Sequence, residues 1–366
     1  MTKTYRYFFF VLMTLALFFG FLHHFFPGDT KYSFERLHIF LFNLCSGGTI
    51  IIYYTVGQKL ASIRVLLFQA LAIGFAIVAF FHLYAAAIAI SLILFVLVDF
   101  TRIQKFSIFP FDFFRPRVPA SEKFHQAALL CLSLGLLISA VVMLNNEYLK
   151  LVSNPKLQLN MFFLGFSFPV SLITFSLMFS FMKEQSGRAF LIFENAAFWL
   201  INMGVILFFV VILINITALQ MTAAVTLFIT VVATFYAFYK IGISGQQKTF
   251  LSSGMGFLLI SAITGIAYIL LHFFHVYDAG SSVPLLRLHA FVSLYGWNLC
   301  GLTVITRFHD FPIRLQSQLI IIAHWITVAI LAPLGYLYLP IAVSAVLLYI
   351  FVLYFFFFSK GSYRLS

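Results

Sequence analysis

The chain has 366 residues, of which 63% are apolar and only 9% charged, and its formal net charge is +12. A soluble domain carries about 25% charged residues, so most of this surface cannot face water and a soluble fold is excluded. The basic excess does not point to nucleic acid, because Lys and Arg fall singly or in small groups between apolar runs, as the positive-inside rule expects.

Lys3 and Arg6 precede an apolar run over 7–22, and no small-x-small cleavage site follows before Pro27; the run is read as an uncleaved first span. A bilayer core of about 30 Å takes about 20 apolar residues in a helix. On that ruler, spans fall at about 7–26, 37–56, 63–82, 84–100, 124–144, 159–182, 190–214, 222–239, 250–275, 285–306, 318–335 and 338–358. The third and fourth share one apolar stretch, with a turn near His82-Leu83-Tyr84. The eleventh and twelfth are split by Gly335 and Pro340 with almost no loop. The longest loop, 101–122, carries Pro110, Pro116 and Pro119 with four basic residues, and is expected to lie along anionic headgroups on the cytoplasmic side.

With the N-terminus inside, 17 Lys and Arg fall on the inner side and 5 on the outer. That asymmetry supports both the orientation and an even number of spans. The expected fold class is therefore all-α: an integral membrane bundle of about twelve transmembrane helices, N-in and C-in, forming a single polytopic membrane domain over 1–366. Cys45, Cys131 and Cys300 lie inside apolar runs without a C-x-x-C partner, which suggests packing rather than a disulfide framework or a zinc site.

Ionisable groups inside a membrane are costly and are functional candidates by default. On this topology His23, His24, His38, His82, His272, His275 and His289 lie at or near outer helix ends, whereas His125, His309 and His324 lie toward the inner side. Helical faces narrow the choice. His289, Ser293, Gly296, Cys300 and Thr303 step by 4, 3, 4 and 3, a stripe of small or polar residues that faces neighbouring helices rather than lipid. Ser261, Thr264, Tyr268, His272 and His275 form another such face, and His38, Cys45 and Thr49 a third. His38, His272, His275 and His289 are thus the candidates to converge on a metal or haem. Neutral imidazole suits haem iron, copper or zinc. Arg36 and Arg287 each precede a candidate histidine by two residues and suit haem propionates. The bland alternative for any one histidine is an interfacial anchor. Glu194, in the inner half of the seventh span, either passes protons or pairs with a polar neighbour near the interface. No P-loop, H-E-x-x-H or G-x-S-x-G motif occurs, so nothing supports an ATPase, a zinc protease or a serine hydrolase.

Two segments echo each other. Arg36-Leu37-His38-Ile39-Phe40 is followed by Asn43-Leu44-Cys45, and Arg287-Leu288-His289-Ala290-Phe291 by Asn298-Leu299-Cys300, with inner spacings that differ by four residues. A chain of twelve spans with outer-side histidines on the second and tenth resembles subunit I of the haem-copper oxidases. The tenth span, from Arg287 through Gly296-Trp297, also looks like segments of NnrS-type membrane haem and copper proteins. The resemblance implies that His38 and His289 hold a haem. The sixth and seventh spans, however, contain no histidine where that family binds copper, and the tenth has one histidine where the family has two. An oxygen-reducing haem-copper centre of the usual form is therefore not implied.

The leading expectation is a membrane haem- or metal-binding protein of the inner or plasma membrane, acting in electron transfer or in nitric-oxide or oxygen handling. Its cofactor would be haem, of b type, with copper as a further candidate. Its partners would be membrane lipid and a quinol or cytochrome. A secondary transporter or channel that uses membrane-embedded histidines is the alternative, and a non-catalytic assembly subunit the third reading.

Overall fold

A computed structural model describes residues 1–366 apart from 27–31, 58–61, 155–164, 184–186, 215, 275, 312–317 and 360–366, with backbone alone at 279–281. Among the described residues there is no β-strand, only an isolated bridge between Met182 and Gly242. The fold is an all-α membrane bundle. Its helices are α1 (Lys3–Gly20), α2 (Phe34–Thr55), α3 (Ile63–Phe80), α4 (Tyr84–Lys105), α5 (Ala120–Leu149), α6 (Gly165–Ser180), α7 (Arg188–Ile214), α8 (Thr217–Ile241), α9 (Gln246–Phe273), α10 (Ser282–Thr306), α11 (Gln318–Gly335) and α12 (Leu339–Phe358). Ten of these, α2 to α5 and α7 to α12, are long and apolar enough to cross a membrane. Each of the twelve expected spans has a helix at its position, because hydrocarbon leaves the backbone no partner but itself.

Boundaries move where side chains carry the helix on. α4 runs a turn past its expected end. There the Arg102 guanidinium pairs with Asp99 at 2.8 Å and donates to the carbonyls of Ser107 and Ile108, so the chain leaves the helix with its carbonyls satisfied. Arg307 does the same work after α10. It donates to Asp310 and to the carbonyls of Phe356, Phe357 and Ser359, which closes the end of α12.

The chain divides into two compact units, Met1–Phe114 with His125–Ile173, and Arg115–Phe124 with Thr174–Ser366. In the first, α2 packs against α1, α3 and α4. Gly48 of α2 also seats Phe68 of α3 and lies beside Leu132 of α5. In the second, α7, α8, α9 and α10 pack in sequence, and α11 contacts α10 and α12. α2 and α10 are the central helices of their units: 89% and 78% of their most apolar windows are buried, against 22% for α7 and α8. Both central helices depart from α geometry, with π segments at Phe40–Gly48 and Val292–Asn298.

Close helix approach rests on glycine. A Cβ on Gly135 of α5 would lie 2.3 Å from the Gly165 Cα of α6, and one on Gly301 would collide with the Thr174 side chain. At Gly74 the nearest atom would be 3.8 Å away, an ordinary contact. Gly135→Ala is therefore expected to destabilise the protein by about 1–3 kcal/mol, as overpacking does, and Gly74→Ala to leave it unchanged or slightly more stable. Thermal unfolding in detergent separates the two.

Ser121 lies in the first turn of α5, and Ser153 four residues beyond its other end. Cysteine placed at each position is expected to react with a membrane-impermeant maleimide from opposite sides, Ser121 from the cytoplasm. Labelling of both from one side would refute the twelve-span arrangement.

Candidate functional site

In α10 the expected stripe packs on α9. Ser293 Oγ is 2.7 Å from Ser261 Oγ, Gly296 seats Phe257, and Cys300 lies over Gly254. His289 begins this stripe and meets α9 at Ser261, Thr264 and Gly265. Its Nδ1 is 2.8 Å from the Ser261 carbonyl oxygen. A carbonyl can only accept, so Nδ1 carries the hydrogen and Nε2 carries the lone pair. Among the described residues Nε2 has no hydrogen-bond partner. An imidazole whose one nitrogen is tied to a backbone carbonyl while the other presents a lone pair is oriented as metal-ligating histidines are.

Arg287 is not beside this ring. It donates to the Tyr336 hydroxyl at 2.6 Å and lies over the Tyr336 ring at 3.8 Å. Two residues on a helix are separated by about 200° of rotation, so Arg287 faces α11 while His289 faces α9. His272, expected on the same face as Thr264, does not join His289. It is exposed, stacked on Tyr277 at 3.9 Å and edge-on to Tyr268. His275 lies outside the described residues. Among those described, no three His, Cys, Asp or Glu side chains are grouped to hold a metal ion.

The first unit repeats the division. His38 is buried and packs on Gly20 of α1, where a Cβ would lie 2.6 Å from its Nδ1. Arg36 points the other way, into a pocket of about 70 Å³ between the ends of α2, α3, α4 and α5. His38 does not line that pocket, which is small beside the roughly 300–1,000 Å³ of ligand clefts. The charge that opens each Arg-x-His segment thus leaves the histidine's side of the helix in both units, and neither arginine is placed for a propionate of a haem held by its own neighbour.

Several sites were not singled out by sequence. His324 of α11 is fully buried, donates from Nε2 to the Tyr295 carbonyl at 2.8 Å, and sits among Phe250, Phe257 and Phe356. Its Nδ1 has no partner. Periodicity gave no sign of this, because the accepting carbonyl lies in a π segment on another helix. Lys123, 1% exposed, donates to Asn195 and lies within electrostatic reach of Glu194. His125 donates from Nε2 to Thr55 Oγ1, whose own proton goes to the Ile51 carbonyl.

His289 and His324 are expected to be opposite neutral tautomers, Nδ1–H and Nε2–H respectively. Nitrogen-15 spectra of histidine-labelled protein, assigned with His289→Gln and His324→Gln, report this directly; an Nε2–H tautomer at His289 would remove the ligand orientation. Comparison with protein-family models, with curated proteins and with solved structures finds no match.

Proposed function

We propose that the chain is a membrane haem protein of the inner or plasma membrane, with His289 as an axial ligand. Its role is electron transfer or the handling of a diatomic gas such as nitric oxide or oxygen. The observation that supports this most is the His289 ring itself. The Ser261 carbonyl holds Nδ1–H and leaves Nε2 as a lone pair inside a membrane bundle. That bond also fixes the plane of the ring. The hydroxyls of Thr264 and Ser261 lie 3.2 and 3.4 Å from Nδ1, so a neutral imidazole is held without a counter-ion.

Haem, when bound, would supply an iron that changes oxidation state by one electron or takes a small gas. The chain's part is to present imidazole, to exclude water with the apolar packing of α9 and α10, and to keep the ring from turning. Copper carries less support, since a copper site needs several converging donors and the described residues form no such group. Arg36 and Arg287 are left out of the proposed haem contacts because of the faces they occupy.

The test is the absorption spectrum of the full chain purified after expression with ample haem precursor, recorded reduced minus oxidised. The expected result is a Soret band and about one haem per chain. His289→Ala should lose most of that haem. Absence of a Soret band from the unaltered protein refutes the proposal, as does a spectrum that His289→Ala leaves unchanged.

A further inference from the structure

The pocket at the end of the first unit is built from charges at its mouth and aromatic rings within. Arg36, His82 and Glu147 line the mouth, Phe40 and Phe75 the walls, and Ser139 the depth. Tyr84 lies within electrostatic reach of both Arg36 and Glu147. Glu147 itself makes no hydrogen bond or ion pair among the described residues.

Two further observations point to an occupant. Ser139 is fully buried and its hydroxyl has no partner. Buried polar groups are nearly always satisfied, so a hydroxyl that lines a cavity and lacks a partner indicates a group yet to arrive. The contacts of Thr55 with His125 and of Gly48 with Leu132 set an antiparallel register between α2 and α5. That register brings Asn43, also buried without a partner, to the level of Ser139. At the mouth, His82 holds a left-handed backbone, φ 59°. Leu83 N–H donates to the Val78 carbonyl and His82 N–H to that of Ala79, the helix end in which glycine usually takes this position. The chain keeps an imidazole there although side chains other than glycine rarely adopt this backbone conformation.

We infer that this pocket binds a zwitterionic phospholipid by its headgroup. The ammonium pairs with Glu147, the phosphate with Arg36, and the ester carbonyl accepts from Ser139. Glu147 and Ser139 are eight residues apart on α5, about 12 Å along a helix, and this depth runs from headgroup level to the upper end of the acyl chains. The volume suits a headgroup rather than a macrocycle, and the aromatic walls take the first methylenes. The proposal does not rest on the haem reading, and its test does not depend on haem.

The experiment is native mass spectrometry of the full chain released from nanodiscs of equal phosphatidylethanolamine and phosphatidylglycerol. O-Phosphoethanolamine is added to delipidated protein in a parallel arm. The expected result is one retained phosphatidylethanolamine per chain. Glu147→Gln should lower the preference over phosphatidylglycerol at least tenfold, and Ser139→Leu should abolish retention. Binding of O-phosphoethanolamine with the same sensitivity, but no retained lipid, keeps the pocket chemistry and assigns a soluble source. Retention of neither, or retention indifferent to both substitutions, overturns the proposal. Because Glu147 is exposed, Glu147→Gln is expected to fold, and circular dichroism of both variants checks this.

Discussion

A hydrocarbon surrounding offers no partner to a backbone amide or carbonyl, and this one constraint orders the whole molecule. It makes every span a helix, and it sends side-chain hydroxyls inward to the carbonyls of their own helix. Thr49, Thr55, Thr101, Thr230, Thr234, Thr303 and Thr327 all donate to the carbonyl four residues back. Where helices end, arginine takes over, as Arg102 and Arg307 do with the carbonyls that follow α4 and those that end α12. Against that background several buried groups among the described residues lack a hydrogen-bond partner, among them the Nδ1 of His324, Ser139, Asn43, Gln126 and Tyr349.

Packing between helices follows from the same setting. Lipid tails are as apolar as leucine, so burial alone does not press one helix against another, and close contact of small residues takes its place. Gly135 against Gly165, Gly301 against Thr174 and Gly296 against Phe257 bring backbones near enough for dispersion to act. The two central helices are also the two that carry an Arg-x-His opening and a π segment. Burying a helix on nearly all sides leaves its polar residues no exit to lipid headgroups. It also puts polar side chains such as Asn43, Ser46 and Asn298 in the middle of each unit.

The spans were legible in the sequence because hydropathy and length report directly on what a bilayer accepts. The contact of α10 with α9 was legible too, since Ser293, Gly296 and Cys300 recur at helical spacing, and so was the place of His289 at its head. Other features were not. His272 shares its helical face with Thr264, yet Tyr277, beyond the end of α9, captures its ring. Spacing within a helix carries no information about what the following loop does. Spacing also hid the different faces of Arg36 and Arg287, because a separation of two residues turns a side chain to the far side from its histidine. The pocket of Arg36, His82, Ser139 and Glu147 was invisible because it joins the ends of four helices far apart in sequence. Nor does residue type announce a π segment.

Those π segments act as rotational offsets. Val292–Asn298 stands between His289 and the lower stripe of Cys300 and Thr303, both packed inside the bundle. One residue more or fewer in that interval turns the upper end of the helix by about 100° relative to the lower. The direction of the histidine is thereby separable from the packing beneath it. A lineage of such chains could re-aim the imidazole toward another helix, or toward lipid, by a single-residue insertion or deletion, while the contacts of Gly254 with Cys300 and of Thr174 with Gly301 stayed as they are.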